Sequence, residues 1–102
     1  MANWRRTRDY RIWRAKVIRR DKRCVFCNAL AHREAHHIFS GSYYPEYRFD
    51  PRYGVCMCRS CHSMFHNSFM GGTRKKCTMK DYNRFIKLYA YIEKKGAEKW
   101  CS

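Results

Sequence analysis

The sequence predicts an α+β fold in which two short strands and a helix stand between an N-terminal and a C-terminal helix. Three observations predict it: two C-x-x-C pairs separated by thirty residues, two short strand-like runs beside them, and an apolar stripe at helical spacing near each end of the 102-residue chain. A chain of this length makes one small domain and buries only about two thirds of the surface its unfolded form exposes. Its core therefore needs support beyond apolar packing.

Each element can be justified in turn. From Asp9 to Arg20, Tyr10, Trp13 and Val17 fall at i, i+3 and i+7, so one helical face is apolar while Arg11, Arg14, Arg19 and Arg20 occupy the rest; Asp9 is the expected cap, and residues 1–20 form a basic N-terminal helical segment. Residues 21–30, DKRCVFCNAL, read as a turn, and HREAHHIF at 32–39 as a strand. The stretch SGSYYPEYRFDPRYG, punctuated by Gly, Ser and Pro, predicts a long surface loop. GVCMC at 54–58 predicts a second strand, and RSCHSMFHNSF from Arg59 a helix of about three turns ended by Gly71 and Gly72, which closes a core of residues 21–72. A C-terminal helix over 78–96 follows from Thr78 and Asp81, near a capping box, and from the stripe Met79, Tyr82, Phe85, Ile86, Tyr89 and Ile92 before Gly96. The tail KKGAEKWCS is expected to fray.

Composition narrows the partners. A formal charge of +15, from 23 Lys plus Arg against 8 Asp plus Glu, together with 17% aromatic residues, is the footprint of a protein that meets a polyanion. No eighteen-residue apolar run crosses a membrane, and MANWRRTRDYRIWR lacks the apolar stretch of a secretion signal. The expectation is a cytoplasmic protein. Seven cysteines, an odd number with two C-x-x-C pairs, point to metal-bound thiolates rather than a disulfide framework.

Cys24, Cys27, Cys58 and Cys61 match the spacing of two zinc knuckles that share one tetrahedral ion, whose binding would supply the folding energy the core lacks. Cys56 shares a strand face with Cys58 and is expected to pack as a thiol; Cys77 and Cys101 have no partner spacing. His62 and His66, four apart on the predicted helix, present two imidazoles to a single cation. Cys61, one residue before His62, points about 100° away, so the helix can serve two metals on different sides. In a strand, His36 and His37 face opposite ways, so that one can bind an ion while the other takes a proton.

CVFC, EAHHI, GVCMCRSCH and the closing FH, over about residues 10 to 70, resemble the small HNH endonucleases encoded by tailed bacteriophages, whose catalytic unit is the ββα-metal fold. RIWRAKVIRRDKRC also resembles the helix leading into the first zinc knuckle of that family. The resemblance implies a DNA endonuclease, nicking or cutting both strands, that leaves 5′-phosphate and 3′-hydroxyl ends. It implies that His36, His62 and His66 bind one catalytic divalent ion and that His37 is the general base. A third histidine in place of an aspartate softens the site toward Mn²⁺, Ni²⁺, Co²⁺ or Zn²⁺ beside Mg²⁺. Phosphates would meet Arg5, Arg6, Arg8, Arg11, Arg14, Lys75 and Lys76.

In one place the sequence departs from the family. Tyr53 stands nine residues before His62, where an asparagine normally fixes the loop that orients the base. Its hydroxyl replaces that contact, or the site is weakened. Two other classes compete: a non-cleaving, zinc-stabilised nucleic-acid-binding module, and a phage factor that docks on a host or packaging protein through Tyr43, Tyr44 and Tyr47. Composition decides neither between monomer and homodimer nor between homing and other biological roles.

Overall fold

The computed structural model describes residues 3–72 and 76–94, with residues 89–94 described by their backbone alone. A short 3₁₀ turn at Trp4–Arg6 leads into helix α1, Arg8–Asp21. Thr7, not Asp9, caps α1, its hydroxyl oxygen accepting from the Tyr10 N–H at 3.2 Å. The cap sits one residue before the first helical position, where its side chain reaches the second or third free N–H; Asp9 lies inside the first turn and favours the positive end of the helix dipole. Trp13 and Val17 are buried, as their spacing predicts.

Strands β1 (Arg33–His37) and β2 (Gly54–Cys58) pair antiparallel, with Ala35 opposite Cys56 and His37 opposite Gly54. The period of two sends Glu34 and His36 to one face and Ala35 and His37 to the other. Ala35 packs with Trp13 and Val17 beneath α1. Gly54 is required here because a Cβ would come 2.6 Å from Trp13 Cζ2 and 2.8 Å from Val17 Cγ2.

The outward edge of β2 is filled by its own chain. Asp21 accepts the Cys56 N–H at 2.9 Å, Val25 donates to the Cys56 carbonyl at 3.0 Å, and Arg20 donates to the Gly54 carbonyl at 2.6 Å. Arg20 also pairs with Asp21 at 2.8 Å. Burial pushes the Asp21 carboxyl up, but Arg20 and the Cys56 N–H outweigh it and hold the group below its ordinary value.

The connection between the strands is more ordered than the open loop its composition predicts. It folds through successive turns into a 3₁₀ segment at Pro51–Tyr53, capped by Asp50. Tyr44, Tyr47 and Tyr53 gather around Phe39, with Tyr47 and Tyr53 ring centroids 4.7 Å apart. Tyr44 and Tyr47 thus pack the loop, and of the three tyrosines at 43, 44 and 47 only Tyr43 is exposed.

Helix α2, Arg59–Ser63, passes directly into a π turn at Met64–Phe69 in place of the continuous α-helix expected. Gly71 and Gly72 follow with φ of +82° and +143°, and the Gly72 N–H reaches the His66 carbonyl at 2.7 Å. These left-handed values suit glycine at the end of a helix. Helix α3, Met79–Lys94, opens as its capping pattern predicts: Asp81 accepts from both the N–H and the hydroxyl of Thr78, at 3.0 and 3.2 Å. Tyr82 and Phe85 are buried, whereas Ile86, expected in the same stripe, is 39% exposed. The side chains of Tyr89 and Ile92, and the tail with Gly96 and Cys101, lie outside the described residues.

Candidate functional site

The two candidate metal-ligand clusters meet at α2, which carries Cys61 of one and His62 of the other. Cys24 and Cys27 come from the turn after α1, Cys58 ends β2, and Cys61 lies in the first turn of α2; their sulfurs all fall within 4.8 Å of one another. The 3.6 Å between Cys27 Sγ and Cys58 Sγ fits an edge of about 3.8 Å for a tetrahedron of Zn–S bonds of about 2.3 Å. Asn28, at φ +66°, lets the first knuckle close, with its N–H on the Cys24 carbonyl at 3.0 Å. Interaction with Cys61 lowers the Cys24 thiol to about 4, against the opposing effect of burial, so the cluster favours the thiolate that a metal requires. Cys56 lies outside this cluster, fully buried, with burial raising its thiol. The cluster can hold an ion such as Zn²⁺.

One residue further along α2, His62 points about 100° away from Cys61. With His36 of β1 and His66 of the π turn it forms a second group whose ring nitrogens lie within 4.8 Å. Glu34, on the same strand face as His36, faces His62 Nδ1 at 2.9 Å. A carboxylate only accepts, so Nδ1 carries the proton and His62 Nε2 keeps its lone pair. His66 Nε2 lies 3.1 Å from that nitrogen. His66 Nδ1 and both nitrogens of His36 are buried without a hydrogen-bond partner among the described residues. Buried polar atoms normally have partners, and three imidazoles that converge in this way fit a divalent cation. Burial, and then the neighbouring rings, push His36 well below the ordinary imidazole value and His66 down to about 4, so these two rings offer lone pairs at neutral pH.

His37 goes to the other face of β1. Its ring lies flat on Trp13, centroids 3.9 Å apart and planes within 10°, while Trp4 meets its edge at 5.3 Å. Its Nε2 is 2.9 Å from the Arg48 carbonyl, which only accepts; Nδ1 is therefore the basic nitrogen. Burial lowers the ring to about 4, more than the Arg48 bond raises it. Although they occupy opposite faces, His36 and His37 meet at one cleft of about 530 Å³ that His62, His66, Arg5 and Tyr43 also line.

Tyr53 is not part of that lining. Its ring belongs to the aromatic cluster, and its contribution to the strand end is the backbone carbonyl that accepts the Ile38 N–H at 2.9 Å. No hydrogen bond to its hydroxyl occurs among the described residues.

The basic residues scatter. Arg5 reaches the cleft, its guanidinium 4.1 Å from the Trp4 ring centre, and Arg6 and Arg8 are exposed. Arg11 and Arg14 are exposed but bond the Arg6 and Arg33 carbonyls. Lys76 lies over Tyr43 and Tyr44, and Lys75 falls outside the described residues.

Two residues at the site escape sequence reasoning. Glu34 carried a signal, two positions before His36 on a strand and so on its face. Trp13 looked like core alone, because nothing local ties α1 to His37.

The fold is a small α+β domain of the ββα type with two clusters of residues that could hold metal ions. A family model for HNH endonuclease matches residues 24–71, from the first knuckle cysteine to the glycine after the π turn. Among curated proteins none matches the chain.

Proposed function

We propose that the protein is a metal-dependent DNA endonuclease that hydrolyses phosphodiester bonds to 5′-phosphate and 3′-hydroxyl ends. The observation that carries this reading is the convergence of His36, His62 and His66, with unpartnered buried nitrogens, beside a neutral His37 in one cleft. Cys24, Cys27, Cys58 and Cys61 would hold a structural Zn²⁺. The histidine triad would hold the catalytic ion, of the Mg²⁺, Mn²⁺, Ni²⁺ or Zn²⁺ class, which when bound offsets charge on the scissile phosphate and on the departing 3′ oxygen.

The chain's own residues do the rest. His37 takes the proton of the attacking water at Nδ1, because Nε2–H is committed to the Arg48 carbonyl. Glu34 fixes the His62 tautomer. Arg5 brings positive charge to the cleft, and the arginines of α1 extend that field for phosphates.

A test incubates the protein with supercoiled plasmid in Mg²⁺, Mn²⁺ or Ni²⁺ beside His37→Ala. Nicked or linear product from the wild type alone supports the reading. Cleavage that survives the substitution removes His37 as base, and no cleavage in any metal leaves a non-cleaving DNA-binding module, the reading favoured by Tyr53 at the family's asparagine position.

A further inference from the structure

We propose that Trp13 is a positioning residue for His37, gripping the same loop through its indole N–H that His37 grips through its imidazole N–H. The proposal rests on the reading of His37 as the proton acceptor, and deepens it.

The two rings come from different elements, α1 and β1, yet lie parallel and in contact. Each donates to a carbonyl of the inter-strand loop: His37 Nε2 to Arg48 at 2.9 Å, and Trp13 Nε1 to Asp50 at 3.0 Å. The carbonyls are two residues apart, and the chain between them is a tight turn, with the Asp50 N–H on the Tyr47 carbonyl at 3.1 Å. The position of the Arg48 oxygen, and with it the choice of His37 tautomer, therefore depends on where Trp13 holds Asp50. The indole face also sets the ring plane of His37, which leaves its hydrogen bond a single direction.

A leucine or phenylalanine would fill much of the same buried volume. Neither would satisfy the Asp50 carbonyl from α1, and leucine would remove the flat surface as well. Tyr53 acts from the other end of the turn, its own N–H meeting the same Asp50 oxygen at 3.0 Å and its ring packed on Phe39 and Tyr47. Loop anchoring, for which the sequence offers no asparagine at position 53, is thus supplied from a helix forty residues upstream of Tyr53.

The test reads the His37 ring directly by ¹⁵N nuclear magnetic resonance on the folded protein, without DNA. Two variants are compared with wild type: Trp13→Phe, and benzothienylalanine at position 13, which keeps the bicyclic ring and loses only the N–H. Wild type is expected to show a single Nε2–H tautomer and slow exchange of the Trp13 indole proton. Both variants should mix the tautomers and cut plasmid cleavage about tenfold or more, with metal affinity of the histidine triad unchanged by calorimetry. An unchanged His37 signature in the benzothienylalanine protein overturns the proposal, as does fast exchange of the wild-type indole proton if Trp13→Phe fails to fold. A tautomer change in a protein that never cleaves DNA sustains the positioning role and sinks the nuclease reading instead.

Discussion

Glu34 Oε1 and His62 Nδ1 lie 2.9 Å apart, joining the face of β1 to the first turns of α2. Arg59 approaches the other carboxylate oxygen at 3.7 Å. A carboxylate behind a metal-facing imidazole fixes its tautomer and raises its basicity, and losing such a partner costs about 10- to 100-fold in metal affinity. Glu34→Ala should weaken divalent-ion binding at the triad by that factor in calorimetry while leaving the zinc content of the cysteine cluster unchanged. Equal affinity in the variant would show that the pair only staples strand to helix.

The cysteine cluster should govern whether the histidine site exists. Helix α2 has five α-helical residues, too few to persist alone, and Cys58 and Cys61 anchor its start. Cys61→Ser, or a strong chelator, is expected to abolish cooperative unfolding in circular dichroism and to remove triad binding with it. A sharp melt after complete zinc removal, confirmed by elemental analysis, would contradict this.

Acid should destabilise the metal-free histidine site before it touches the carboxylates. His37 and His66 sit at about 4 in the fold against an ordinary value of 6.5, because burial disfavours their charged forms. The unfolded chain then binds more protons than the fold, so this stability is fully present above about pH 6.5 and is lost as pH falls toward 4. Urea midpoints measured at pH 7, 6 and 5 should decline, and the His37→Gln, His66→Gln double variant should decline less. A flat profile in wild type would falsify the assignment of neutral rings.

Overpacking provides a check on the seat of α1. Gly54→Ala places a methyl against Trp13 and Val17 at 2.6 and 2.8 Å, with no slack in either buried side chain. A loss of about 1–3 kcal/mol in denaturant titration is expected. Wild-type stability would mean that α1 rides further from the sheet.

Salt dependence separates the basic residues. Each lost phosphate contact should flatten the plot of log affinity against log salt by about 0.9. Arg5, beside the cleft, is expected to show this when changed to alanine; Arg14, which bonds the Arg33 carbonyl, is expected to show less. The reverse order in filter binding would remove Arg5 from the proposed DNA footprint.

Much of this architecture was legible because it is written in local spacing. The period of two separated His36 from His37, and the four-residue step placed His62 with His66; β2 falls on the residues its composition marks. What escaped depends on contacts between distant parts of the chain. Thr7 displaced Asp9 as cap because a 3₁₀ turn begins at Trp4, which propensity alone does not show. The π turn under His66 has no composition of its own, yet such turns gather at functional sites. Tyr44 and Tyr47, read with Tyr43 as a docking surface because a loop was expected, pack instead beside Tyr53 because Phe39 offers a shared apolar centre.

A two-stranded ribbon has two open rims, and each is an invitation for a strand from another molecule. On the β2 side the Cys56 N–H and carbonyl and the Gly54 carbonyl are already taken by Asp21, Val25 and Arg20. A strand arriving there would have to break an ion pair and peel back the first cysteine knuckle before forming a single ladder bond. The latch that seats α1 on the sheet is thereby also a guard against edge-to-edge aggregation, in a protein whose scant core leaves few other defences.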